Sequence, residues 1–115
     1  MDISYLTGLQ NEVIAELKTD LKGDPRLDED ILEGKVKNAI RDVFLRRHYE
    51  HTSYDPDKIT KDMYQYFSVI KNVALYDYNQ IGGEFQTSHN ENSINRTWVS
   101  RDTLFNNVHA FVRVL

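Results

Sequence analysis

Apolar residues recur three or four positions apart along most of this chain, the spacing that puts them on one face of a helix. Leu6, Leu9, Val13, Leu17 and Leu21 predict a first helix from Ser4 or Thr7 to Leu21. Thr7 with Gln10 reads as a capping box, and Gly8 weakens any earlier start. Gly23-Asp24-Pro25 stops the helix, because proline cannot continue it and disfavours helical backbone just before itself. A second helix is expected from Asp28 to Tyr49, with Ile31, Val36, Ala39, Ile40, Val43 and Phe44 as its buried stripe. Asp28, Glu29 and Asp30 open it and Arg46, Arg47 and His48 close it, as the helix dipole favours. Gly34, inside that helix, reads as a point of close helix packing. A third helix starts at Asp55-Pro56, a good N-cap followed by a good first-turn residue. Its stripe is Ile59, Met63, Tyr66, Phe67, Ile70, Val73, Ala74, Asp77 and Tyr78, and it lasts to Ile81. That is a long central helix of roughly 37 Å. Asp77 sits on the stripe, so its carboxylate is expected to be bonded to a neighbouring tyrosine or arginine.

Gly82-Gly83 ends the pattern, and the period then changes to two. Phe85, Thr87 and His89 alternate with Glu84, Gln86 and Ser88. Ile94, Arg96 and Trp98 alternate with Asn95, Thr97 and Val99. The turn formers Asn90-Glu91-Asn92-Ser93 lie between the two runs. A four-residue turn pairs His89 with Ile94, Thr87 with Arg96, and Phe85 with Trp98. The stretch is too polar for a core strand. It reads as a hairpin or extended arm over residues 84–99, with Phe85 and Trp98 at its base. Ser100 is the expected cap of a last helix, with Asp102 in its first turn and Leu104, Phe105, Val108, Phe111, Val112 and Leu115 as its apolar face. An apolar end of this kind docks on its own core or on a partner. The expected fold is mainly α: one domain over residues 1–115, a small bundle of three to four helices with a long central helix and a polar arm before the C-terminal helix.

Composition narrows the functional classes. The chain has no cysteine, so it has neither a disulfide framework nor a thiolate metal site. No apolar run approaches the roughly 18 residues that span a bilayer, and the N-terminus lacks the pattern of a signal peptide. Cytosolic synthesis and no membrane contact are the expectation. Net charge is −4 and unevenly spread: residues 1–33 carry −6, residues 34–61 carry +3 and residues 62–115 carry −1. An acidic total argues against general phosphate binding. Segregated charge fits solvated helix faces and also head-to-tail packing of like subunits.

A search for chemistry finds no catalytic, cofactor-binding or metal-binding set. Gly82-Gly83 lacks the lysine and the helix that a phosphate loop needs after it, and no HExxH occurs. His48 and His51 are three apart, but no third ligand is near them in sequence. The acids from Asp28 to Glu33 are explained by the helix dipole. Tyr64, Tyr66, Tyr76 and Tyr78 cannot all face one core, so some lie at a rim or an interface. Trp98 suits an interface anchor or the apolar base of the arm. A DNA-binding alternative rests on Lys35, Lys37, Arg41, Arg46 and Arg47, but these spread around the second helix and no turn-plus-recognition-helix unit is visible. A small regulatory interaction module is the other alternative.

The stretch ALYDYNQIGGEFQTSHNENSINRTWVS resembles the head–tail connector proteins of tailed bacteriophages, also called adaptor or head-completion proteins. The resemblance rests on Tyr78-Asn79 and Ile81-Gly82 at the helix end, Glu84, Ser88 and Ser93-Ile94 in the polar segment, and Trp98 closing it. Helix order and chain length extend it over the whole chain. Asn92-Ser93 stands where relatives often carry glycine, a departure that bears on the turn. The resemblance implies a non-enzymatic virion protein that needs no cofactor. Such a protein forms a homo-oligomeric ring, usually of twelve subunits, at the head–tail interface, after a stay in the host cytoplasm. The ring binds the portal protein and presents a surface to a stopper or tail-completion protein. DNA passes through its channel without sequence-specific binding. The arm and the C-terminal part are the implied contacts: Phe85, Asn90, Asn92, Asn95, Arg96 and Trp98, with Phe111, Val112 and Leu115.

Overall fold

Helix α1 (Thr7–Asp20) follows a 3-10 turn at Ser4–Leu6 in a computed structural model that describes residues 3–83 and 101–112. Thr7 does not cap it. The N-cap position falls on Leu6, and the Thr7 hydroxyl donates to the Ser4 carbonyl at 2.6 Å. The 3-10 turn feeds straight into the helix, so Thr7 lies inside the first turn rather than before it. Leu9, Val13, Ile14 and Leu17 are its buried residues. The chain leaves α1 through Gly23, whose φ of +92° suits a residue without Cβ.

Helix α2 (Glu29–Arg47) opens as expected: Asp28 Oδ1 accepts from the Ile31 amide at 3.1 Å. Its buried face is Leu32, Val36, Ala39, Ile40, Val43 and Arg47. Ile31, expected in that stripe, is 38% exposed, because the strict three-and-four spacing starts one residue later. Gly34 does not mark close packing: a Cβ there meets nothing within 4 Å. The helix ends at His48, which takes the left-handed conformation (φ 55°, ψ 56°), followed by a 3-10 turn at Tyr49–His51.

The long central helix is two helices. Helix α3 (Pro56–Tyr64) has Asp55 as its cap, accepting from the Lys58 amide at 2.9 Å, and buries Ile59, Asp62 and Met63. Gln65 and Tyr66 then form a turn in which Gln65 N–H reaches Asp62 O at 3.1 Å and Tyr66 N–H reaches Met63 O at 2.9 Å. Those are three-residue bonds, tighter than the α pattern. Helix α4 (Phe67–Gly83) restarts with Ile70 N–H on Tyr66 O at 2.8 Å. The cause is tertiary. Asp62 ties α3 to the corner after α2, while α4 makes its most extensive contact with α2 itself and also touches α1. One straight rod does not meet both demands.

Leu6, Leu9, Leu17, Leu32, Ile40, Met63 and Ile70 are among the fully buried side chains of the single core that these elements share. Each stabilises the fold by roughly 1.5–3 kcal/mol through burial. The C-terminal helix is also corrected. Arg101–Phe105 is a 3-10 turn, Asn106 and Asn107 turn the chain, and residues 108–112 are irregular. Their bonds run to the bundle instead of along a helix: Phe111 N–H reaches Arg47 O at 2.8 Å. Phe105 is buried, Leu104, Val108 and Phe111 are half-buried, and Val112 is 78% exposed. The described residues thus form a small helical bundle of four α-helices with no strand. The arm, its hairpin register and the Ser100 cap lie outside the described residues.

Candidate functional site

Two arginines hold the returning segment, residues 101–112, on the bundle. Arg47 is four residues after Val43, so the buried stripe of α2 carries it inward. Its Nε donates to Asp62 Oδ2 at 2.8 Å and its Nη2 to Asp62 Oδ1 at 3.0 Å, a two-pronged pair. Its Nη1 donates to the His109 carbonyl. The Tyr49 hydroxyl donates to the same Asp62 Oδ2. All three guanidinium nitrogens therefore have acceptors. Burial opposes the charge on Arg47, but the bonds that follow, Asp62 foremost, outweigh it and its pKa is raised. Burial pushes the Tyr49 hydroxyl up, and its bond to Asp62 pushes it further.

Phe111 completes this corner. Its ring centroid lies 4.0 Å from the Arg47 guanidinium, 5.4 Å from Tyr54 edge-on, and 5.8 Å from Tyr49. His51 Nδ1 is 2.8 Å from the Phe111 carbonyl. Phe111, expected at a partner contact, is half-buried against these rings, while Val112 beside it is exposed.

Arg101 anchors the other end. Its Nε reaches Asp77 Oδ1 and its Nη2 reaches Asp77 Oδ2, both at 2.8 Å, and Nη2 also reaches Asp42 Oδ2 at 2.6 Å. The bond to Asp77 is the chief cause of its raised pKa, against burial and with help from Asp42. Of the tyrosine or arginine expected beside Asp77, the structure supplies an arginine, Arg101. Arg46 lies 3.8 Å over the Phe105 ring and 3.3 Å from Asp102 Oδ1. The clamp therefore fixes the chain where its described part resumes, at Arg101, against α2 and α4.

The fold also dissolves the charge asymmetry read along the chain. Arg46 and Arg47 from the basic stretch are matched by Asp102 and Asp62 from the stretch after it. Of the DNA-binding candidates, Arg47 is buried, Arg46 is paired, Lys35 is half-buried, and Lys37 and Arg41 are exposed on α2. They do not make one surface. His48 and His51 stack at 5.5 Å, but each Nδ1 faces another group, Glu50 for His48 and the Phe111 carbonyl for His51. No group of three metal-ligating side chains forms among the described residues. No helix among them is long and apolar enough to cross a membrane.

Tyr64, Tyr66, Tyr76 and Tyr78 divide between edges and packing. Tyr64 is exposed and donates to Glu12. Tyr66, Tyr76 and Tyr78 are half-buried, and the Tyr78 hydroxyl accepts from the Asp28 amide at 2.9 Å, joining α4 to the start of α2. Of the interface residues expected from sequence, Phe85, Asn90, Asn92, Asn95, Arg96, Trp98 and Leu115 lie outside the described residues. Sequence reasoning missed Tyr49, Asp62 and Arg101. The available signal was spacing: Arg47 continues the stripe of α2, and Asp62 shares a face with Ile59 and Tyr66. No family model, curated protein or solved structure matches this chain.

Proposed function

We propose that this chain is a non-enzymatic structural protein of a tailed-phage virion. In this reading copies form a ring under the portal, extend the DNA channel and join the head to a stopper or tail protein. The observation that carries it is the two-carboxylate clamp on Arg101, directly after the stretch of connector pattern in the sequence. The clamp fixes the chain immediately after the polar stretch on which this reading places the ring contacts. The fold supports the reading through its economy: the described polar clusters are matched within the subunit, and each tethers chain to chain. The acidic total supports passage of DNA without retention, since a basic channel wall would hold phosphates.

The test is assembly with a portal protein encoded in the same genome. Electron microscopy of the co-expressed pair is expected to show a ring of this chain under the portal. Trp98→Ala and Arg96→Ala are expected to weaken that ring while circular dichroism stays unchanged. A folded chain that never joins its portal, with no virion genes around its own, overturns the reading and leaves a small interaction module in its place.

A further inference from the structure

The half of the Arg47 corner contributed by the bundle is held by its own bonds, and leaves Arg47 Nη1 and the Arg47 carbonyl for the segment it holds. Asp62 fixes the guanidinium with two bonds and the Tyr49 hydroxyl with a third, and Tyr54 lies 6.4 Å from Tyr49. What this frame grips in residues 109–111 is main chain plus one ring. The Arg47 carbonyl accepts the Phe111 N–H at 2.8 Å, Arg47 Nη1 donates to the His109 carbonyl, and His51 Nδ1 meets the Phe111 carbonyl at 2.8 Å. The Phe111 ring fills the space between the guanidinium and the two tyrosines. His109 and Ala110 are exposed between these contacts. Main-chain pairing with a single aromatic anchor is how a protein recognises an extended peptide.

We propose that the Arg47 corner is a docking site for an extended, phenylalanine-bearing peptide, filled in cis by residues 109–111 and open to the same segment of a second copy. The second copy is the occupant because the segment that fits is present in every copy. Exchange replaces each contact by an identical one, so it changes only the tether. The segment follows the Asn106–Asn107 turn, where the chain redirects after Phe105 is seated. In cis it is favoured by a local concentration on the order of millimolar. This inference rests on the described residues alone and is independent of the virion reading.

The test uses full-length Phe111→Ala, with its fold checked by circular dichroism, and an end-blocked peptide of residues 106–112. Calorimetry is expected to show saturable binding to Phe111→Ala and at least ten-fold weaker binding to the unaltered chain, whose own segment competes. The same peptide with alanine at the phenylalanine is expected not to bind. If Phe111→Ala does not fold, Phe111→Leu takes its place in the same comparison. Refolding the unaltered chain at high concentration is expected to give a dimer by light scattering, lost in the phenylalanine variant. A folded variant that ignores the peptide, or binds the alanine peptide equally, overturns the site. Peptide binding without any dimer overturns the second copy as its occupant.

Discussion

Arg47 and Arg101 present the same fork of donors to an aspartate, in very different surroundings. The side chains of Arg47 and Asp62 are each 10% exposed, and a tyrosine hydroxyl and a carbonyl share their site. Arg101 is 34% exposed and faces two carboxylates, of which Asp42 is as open to water as the arginine. Water screens the second cluster and hardly reaches the first. A buried pair gives little net stability when formed, but breaking it leaves a stranded charge. A half-exposed pair contributes modestly and loses modestly. The inner arginine therefore governs whether the fold survives, and the outer one governs where the returning chain is placed.

The sharpest way to break this contrast is Asp62→Ala. It strands the Arg47 guanidinium and is expected to cost about 3–5 kcal/mol in urea unfolding. Replacing both partners with apolar residues, Arg47→Met with Asp62→Leu, is expected to cost less than half of that. A single variant losing under about 1 kcal/mol would show that water reaches the corner.

Tyr49→Phe comes next. It removes one donor from a charged acceptor, with an expected loss of about 1.5 kcal/mol at neutral pH. It also has a pH signature. The folded Tyr49 pKa is raised above the ordinary value of 10.0, by burial first and then by Asp62. Above that ordinary value the unfolded chain releases the proton while the folded chain keeps it, so the folded state binds more protons and its stability falls as pH rises. The contribution is whole below pH 10 and declines above it. Thermal melts from pH 8 to 12 are expected to show a shallower alkaline decline in Tyr49→Phe than in the unaltered chain. Parallel declines would assign the alkaline limb to other raised groups, such as Tyr66 and Lys71.

Arg101→Ala is expected to cost about 1 kcal/mol, as for an ion-pair network open to water. It also releases both carboxylates, Asp77 and Asp42, that hold residue 101 on the bundle. A loss as large as that of Asp62→Ala would erase the distinction between the two sites. Arg46→Ala is the mildest, at about 0.5 kcal/mol, because its bridge to Asp102 is exposed and its stacking on Phe105 is the main loss. Urea midpoints measured side by side give the whole ranking.

The starts of α2 and α3 were legible because their signals are local, acids clustered at one and Asp55-Pro56 at the other, whereas Thr7 misplaced the cap of α1. Asp28 and Asp55 each accept the amide three residues on, and Gly23 turns the chain with a positive φ. The break at Gln65–Tyr66 was not legible. No glycine or proline marks it, and the stripe from Ile59 to Tyr78 runs through it without a fault. Its cause is Asp62, whose partner Arg47 lies on another helix. The end of the chain failed for a related reason. Leu104, Phe105, Val108, Phe111 and Val112 keep a helical spacing, yet long-range partners claim the backbone there. Spacing reports which residues face the core, and it does so whether or not the chain between them is a helix. At the candidate site the sequence located Asp77 as a paired carboxylate but not the arginine that pairs with it, because charge complementarity across 24 residues leaves no periodic trace.

The partners of Arg47 are placed unevenly along the chain. Asp62 is 15 residues away, whereas the contacts that seat residues 101–112 on α2 and the turn after it span 56 to 64 residues, and the Arg101–Asp77 pair spans 24. Closing a longer loop costs more entropy and comes later in folding. The corner of α2 and α3 is therefore expected to form before the returning segment docks on α2. Interactions made that late slow unfolding without speeding folding. Loosening residues 101–112 is accordingly expected to shorten the lifetime of the native state while leaving its rate of formation almost unchanged.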